Sequence, residues 1–341
     1  MKHYGLIVLI VVLAGSLIFM NAEDSASQTV IKLNFASISA PAHATTPVFQ
    51  SWAKELEEAT NRKLSVTFYL GQSLLKGVDM YKGVVAGTAE IGYALPAFTP
   101  GRFPLISVMD LPFLFPDAKT GTRTVWHLYE KFPEVQAEWR EVKVLALWTL
   151  PTAKILTKKK IRTMDDLKGL KIAATGTVSV KTMELLGPVP INMPAQDQYL
   201  ALTQGVIVGS LMPLEAAETN KFYEALSYFA LPGTNSGTMF LVMNRNVWES
   251  LPADIKKTVE KHIGEKLARR MGEALDARDI VAKQSLEKNG MVAYEFPAPE
   301  IEKIRHRVKA IGDEWTANMQ AKGLPGKAVL DEAVRFIEQQ K

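Results

Sequence analysis

The chain has 341 residues, 47% of them hydrophobic and 22% charged, which is long enough for two α/β lobes with separate cores and too long for one isolated helical bundle. Its net charge is only +4, with Lys and Arg alternating with Asp and Glu along the helical segments, so nucleic acid is a poor partner. There is no cysteine, which excludes disulfides and a lipid-modified N-terminus and leaves folding to packing alone.

Lys2 and His3 precede an unbroken apolar and small run from Gly5 to Met20, then polar residues through Gln28. This is the layout of a secretory signal peptide, with cleavage after Ala22 or near Ser27 and a periplasmic destination. An uncleaved anchor is the alternative, although the run is just short of a usual span of about 20 residues. No later run reaches that length.

VIKLNFASIS (30–39) alternates and reads as the first strand. Thr46 to Ala59 places Val48, Trp52, Leu56 and Ala59 on one helical face, and Asn61-Arg62 breaks it. KLSVTFYL (63–70) is a strand, Val78 to Ala86 a helix ending at Gly87, and AEIGYAL a short strand. This βαβαβ order predicts a mostly parallel sheet with helices on its faces.

The second half repeats the pattern. EVKVLALWTL (141–150) reads as a buried strand, KILTKK as an extended piece, and Lys158-Lys159-Lys160 with Arg162 as a solvated turn. Met164 to Leu167 is a turn before the strand LKIAA. Thr177 is expected to cap the helix SVKTMELL, which stops at Gly187-Pro188. PINM is a strand, Gln196 to Gln204 a helix, and GVIVGSLM a strand ending at Pro213.

Residues 252–290 hold helical patterning that would span roughly 50 Å, enough to lie across both lobes. Two shorter helices bent at Gly272 are the alternative, because an interior glycine costs about 1 kcal/mol. The expected division is a leader over 1–27, a first lobe of 28–150 plus about 237–270, and a second of 151–236 plus about 271–341.

Catalytic constellations are not apparent. His127, His262 and His306 lie on helices, no pair of histidines has metal spacing, and only His43 sits in a loop that a site could use. There is no Gly-x-Ser-x-Gly elbow, phosphate loop or dinucleotide fingerprint. Asp165-Asp166 and Glu57-Glu58 are adjacent rather than opposed, so they read as helix-start and surface charges. Such a chain fits a binding protein, not an enzyme, whose lobes close on a solute without a cofactor or metal.

TPGRFPLISVMDLPFLFPDA (99–118), VKVLALW (142–148), TKKKIRTMDDLKGLKI (157–172), PAQDQYLALTQGVIVGSLMP (194–213) and NKFYEALSYF (220–229) occur in an order that resembles the solute-binding subunits of tripartite ATP-independent periplasmic (TRAP) transporters, the DctP type. The resemblance runs from about residue 30 to the end. It implies a periplasmic-binding-protein fold, with two α/β lobes joined by hinge strands, a long helix across both and ligand capture by closure. It also implies delivery to a membrane permease driven by an ion gradient. A monomer is expected, with a dimer as the alternative.

The departures bear on the ligand. DctP-type chains typically follow the LKGLKI block with an arginine that clamps the ligand carboxylate, and here that position is Ala173. Met212 stands where the family usually has a ligand-contacting Asn. Ala153 aligns with a further arginine of the sialic-acid type, and Ala195 with a frequent aromatic. A carboxylate buried without its partner costs on the order of 3–5 kcal/mol, or roughly a hundredfold to a few thousandfold in affinity.

The expected ligand is therefore bulkier and less anionic than the usual carboxylates. Its body would lie in the space left by Ala153, Ala173 and Ala195, against Met212, Trp148, Phe98 and Tyr93, with Ser37, His43, Leu95, Lys154, Thr175 and Glu215 completing the candidate lining. One alternative is an anion held by displaced groups: Lys154, Arg102, or Thr175 and Thr177 at the helix start. Another is presentation of the ligand to a sensor, and a third is a secreted hydrolase or lyase combining His43, Lys154 and Glu215.

Overall fold

The computed structural model describes residues 30–340, and the expected leader over 1–27 lies outside the described residues. The first half forms β1 (Ile31–Ser37), α1 (Thr45–Ala59), β2 (Leu64–Tyr69), α2 (Met80–Val85), β3 (Ile91–Ala94), α3 (Ala118–Lys131), α4 (Pro133–Ala137) and β4 (Val142–Thr149). Helix α1 buries Phe49, Trp52 and Leu56, which recur at the helical spacing of three and four residues. It gives way to β2 where Asn61 and Arg62 take left-handed angles, φ 51° and 60°. Asp117 starts α3 by accepting the Thr120 N–H at 2.8 Å.

The second half continues with β5 (Lys154–Thr157), β6 (Lys171–Ala174), α5 (Thr177–Leu186), β7 (Val189–Asn192), α6 (Ala195–Thr203), β8 (Gly209–Met212), α7 (Leu214–Thr219) and β9 (Tyr228–Leu231). Then come β10 (Thr238–Asn244), α8 (Arg245–Ser250), α9 (Ala253–Glu260), α10 (Glu265–Lys288), β11 (Val292–Glu295), α11 (Ala298–Ala321) and α12 (Gly326–Glu338). Thr177 does not cap α5. Gly176, at φ +88°, holds the cap position, and Thr177 is already the first helical residue.

Two sheets result, ordered β2-β1-β3-β10-β4 and β11-β9-β5-β8-β6-β7. Within each sheet the strands run in one direction except for one, β10 in the first and β5 in the second. These two follow a direct passage from the other lobe. The chain leaves β4 and enters β5 through residues 150–153, and returns from β9 to β10 through 232–237. The passages are bonded to each other: Leu150 N–H to Gly237 O at 2.9 Å, Ala153 N–H to Asn235 O at 2.6 Å, and Thr234 N–H to Ala153 O at 2.9 Å. This paired ribbon is the hinge.

The helix expected over 252–290 is broken, and the break is at Gly264 rather than Gly272. Gly264 takes φ +78° and donates its N–H to Leu145 O at 2.7 Å, a conformation that separates α9 from α10. Helix α10 has 24 residues, about 36 Å, and touches elements of both lobes. Gly272 lies inside it, where a Cβ would stand 2.6 Å from Thr122 Oγ1 and 3.2 Å from Ala118 O. The glycine is there for close approach to α3, so Gly272→Val should destabilise by about 1–3 kcal/mol or more through overpacking. Urea titration would measure it, and unchanged stability would contradict that packing.

Polar groups along α10 are matched to both lobes. Arg270 forms a two-pronged bridge to Glu55 of α1, 2.8 Å in each arm. Asp276 accepts the Ala118 and Lys119 N–H groups at the start of α3, at 2.8 and 2.7 Å. On the second lobe, Asp279 meets Lys154 of β5 and Arg278 meets Glu218 of α7.

The C-terminal helices, grouped with the second lobe over 271–341 in the expected division, make contacts with both lobes. Helix α11 lies against α5, whereas α12 seats on α3 in the first lobe. Glu332 of α12 stands 2.6 Å from His127 Nε2 and 2.8 Å from Lys131 Nζ, and also bonds Arg335. Hydrogen bonds from these groups, Arg335 foremost, hold its carboxyl well below the usual range.

Candidate functional site

Where the lobes face each other they enclose a cavity of about 290 Å³. Its wall is built from the loop after β1, the end of β3, the hinge ribbon, the start of α6, the end of β8 and helix α7. Of the candidates read from the sequence, His43, Tyr93, Leu95, Phe98, Ala153, Thr175, Ala195, Met212 and Glu215 line it.

Ser37, Trp148, Lys154 and Ala173 do not. Ser37 is buried behind the wall and accepts the Ser39 N–H at 3.0 Å. Trp148 is fully buried and stacks on Tyr93, 5.4 Å between centroids at 10°, so it backs the ring that lines the cavity. Lys154 is committed to Asp279 at 2.8 Å, with both side chains about nine-tenths buried. Ala173 is fully buried in an apolar cluster with Leu202, Phe229 and Met212, because strand alternation turns Ile172 and Ala174 to the other face of β6.

Two other candidate anion ligands are also placed elsewhere. Arg102 pairs with Glu141 at 2.5 Å and lies over the Tyr81 and Phe103 rings. Thr177 borders a separate cavity with Trp315 and Lys322. Thr175 does line the main cavity, but its hydroxyl donates to Met193 O at 2.9 Å.

Ile38, Ser39, Leu150, Ser179, Gln196, Leu211, Thr219, Asn220, Ser236 and Met239 also line the cavity and were not singled out in the sequence. Ser39 and Ser236 lie in connecting segments that carry no motif. Their proximity to a strand end and to the crossover was the available signal.

A chain of polar groups crosses the wall between the lobes. Glu215 Oε2 lies 3.3 Å from His43 Nε2, and His43 Nδ1 is 2.9 Å from Thr45 Oγ1. Thr45 Oγ1 lies 3.4 Å from Ser39 Oγ, and Ser39 Oγ donates to the Tyr93 oxygen at 3.5 Å. The Thr45 backbone N–H donates to His43 Nδ1 at 3.3 Å, so Nδ1 accepts and the ring proton sits on Nε2, facing Glu215. Burial lowers the His43 pKa, partly offset by Glu215, so the imidazole is neutral at pH 7. Burial likewise raises the Tyr93 phenol, which remains a hydrogen-bond donor.

The rest of the wall is mostly apolar, with Ile38, Leu95, Phe98, Leu150, Leu211, Met212 and Met239 around small residues. Among the described residues that line the cavity, none is lysine or arginine, and Glu215 is the one carboxylate. Such a surface holds an apolar body by burial and orients it through a few polar groups. The Glu215–His43–Thr45 run ends on a hydroxyl that is buried and does not line the cavity, so it presents no nucleophile to a solute there.

Two lobes, a paired hinge and an enclosed interlobe cavity define a protein that binds a small solute. Residues 35–318 match bacterial extracellular solute-binding protein family 7, DctP, and the chain belongs to that family. It is similar to the C4-dicarboxylate-binding periplasmic protein DctP of Rhodobacter capsulatus, 27% identical over 264 residues, 76% of each chain. It is also similar to a TRAP solute-binding protein from Rhodoferax ferrireducens solved with copurified benzoate. That match has 25% identity and a TM-score of 0.87, covering 91% of this chain and 98% of the other. A third, from Bordetella bronchiseptica with bound (R)- and (S)-mandelate, has 25% identity and a TM-score of 0.85, covering 91% and 100%. The chain is thus a periplasmic solute-binding protein of the TRAP type and not an enzyme.

Proposed function

We propose that the protein is exported by residues 1–27, closes on an aromatic-sized solute whose polar head is uncharged or donates hydrogen bonds, and delivers it to the ion-gradient-driven permease of a TRAP transporter. The first lobe in this reading is 28–150, 238–270 and α12, and the second is 154–231 with the rest of the C-terminal segment. The residues proposed to touch the ligand are those candidates that line the cavity, with Phe98, Leu95 and Met212 against its body.

The observation that carries the reading is the charge of the wall, with Glu215 its one carboxylate and no lysine or arginine among the residues that line it. A ligand carboxylate about 4 Å from Glu215 would be repelled by about 4 kcal/mol at the effective dielectric of a protein surface. Lys154 and Arg102, which could have relieved that repulsion, are engaged with Asp279 and Glu141. The benzoate and mandelate of the two related structures support a ring-sized body. Ala173 in place of the arginine of DctP-type chains supports an uncharged head.

Thermal unfolding in the presence of benzamide, benzyl alcohol, benzoate and succinate tests this. A neutral aromatic at about 100 times its Kd adds about 2.7 kcal/mol and raises the melting temperature by several degrees. Benzoate and succinate should leave it unmoved. A larger shift with benzoate than with benzamide would favour an aromatic acid instead.

A further inference from the structure

Glu215 spans the cleft. It belongs to α7 of the second lobe, yet its Oε1 accepts the Ala44 N–H at 3.2 Å and its Oε2 faces His43 Nε2 at 3.3 Å, both in the first lobe. Ala44 immediately precedes α1, whose sequence supplies neither a capping side chain nor an acidic residue in its first turn. Within the first lobe His43 meets two of its N–H groups, Nδ1 accepting from Thr45 at 3.3 Å and the carbonyl from Thr46 at 3.0 Å, which leaves the Ala44 N–H and the positive end of the dipole to favour an anion. The acceptor for Ala44 comes from the opposite lobe, and only when the lobes are together.

The carboxylate is also part of the cavity wall and is only 2% exposed. Its partners there are neutral donors: the His43 Nε2–H, the Ala44 N–H and the Thr219 hydroxyl at 3.3 Å. A fixed negative charge satisfied in this way favours a neighbouring head group that donates hydrogen bonds and disfavours another anion. We propose that Glu215 is both the interlobe latch and the specificity-determining residue of the site, capping α1 from across the cleft as the lobes shut and selecting donor head groups over anions. The selectivity half rests on the ligand class proposed above, whereas the latch does not.

The absence of cysteine allows spin labels on paired substitutions at the exposed Lys54 of α1 and Thr203 of α6. Distances measured by pulsed electron resonance, with and without 10 mM benzamide, should show a larger closed population for the native residue than for Glu215→Gln or Glu215→Ala. Equal populations in the three proteins overturn the latch. By calorimetry, the protein should favour benzamide over benzoate by about tenfold or more, and Glu215→Gln should remove most of that preference. An unchanged preference overturns the selectivity. If neither probe binds the unsubstituted protein, the aromatic reading fails and the selectivity fails with it, while the distances still decide the latch.

Discussion

Replacing Lys154 with alanine lowers stability by about 3–5 kcal/mol, because it strands a buried carboxylate. Lys154 Nζ lies 2.8 Å from Asp279 Oδ2, and the two side chains are 10% and 12% exposed. The other oxygen of Asp279 accepts the Glu215 N–H at 3.0 Å, so the carboxylate is fixed in place and cannot turn to water. The loss should appear as a lower midpoint in urea unfolding. Replacing the pair together, Lys154→Met with Asp279→Leu, should recover most of the stability, since a buried ion pair contributes little beyond what its apolar replacement does. If Lys154→Ala instead kept its stability and changed the preference for anions, Lys154 would be a ligand group.

Ala173→Arg has the second large effect: binding is lost, and stability falls by at least ~3 kcal/mol. Ala173 is fully buried beside Leu202 and Phe229, in the cluster that also holds Met212. A guanidinium inserted there overpacks the cluster and puts a charge among apolar side chains. Met212 and Ala195 of that cluster also line the cavity, so a long side chain passing them would take up ligand space. Urea unfolding and calorimetry with benzamide would measure both losses. A stable variant that bound benzoate more tightly would show that position 173 borders the ligand directly.

These two residues mark where the sequence stops being informative. The order of strands and helices was legible because alternation, helical spacing and breakers such as Asn61-Arg62 and Gly187 are local. The two-lobed cleft followed from repetition of that order. Lys154 read as available because its partner is 125 residues away on another element. Gly264 and Gly272 look alike as letters, yet one is at φ +78° and breaks the helix while the other lets two helices touch. Ala173 was placed at the wall by its alignment with the arginine of DctP-type chains and Ser37 as candidate lining, but the side of the sheet each faces depends on register.

Glu215 was legible only as a polar residue near the site. Its role depends on a closure that brings α7 to the start of α1, a contact between residues 171 positions apart. The apolar wall was more legible through the resemblance, since Met212 and three alanines stand where DctP-type chains carry polar or aromatic ligand groups. Ala153 and Ala195 do line the cavity, and Ala173 lies one layer behind them.

The most direct test of the central claim is mass spectrometry of the small molecule released by denaturing protein purified without added ligand. The account predicts a ring-sized compound whose polar head is a hydroxyl, amide or amine. A dicarboxylate, or an aromatic acid such as benzoate, would contradict it.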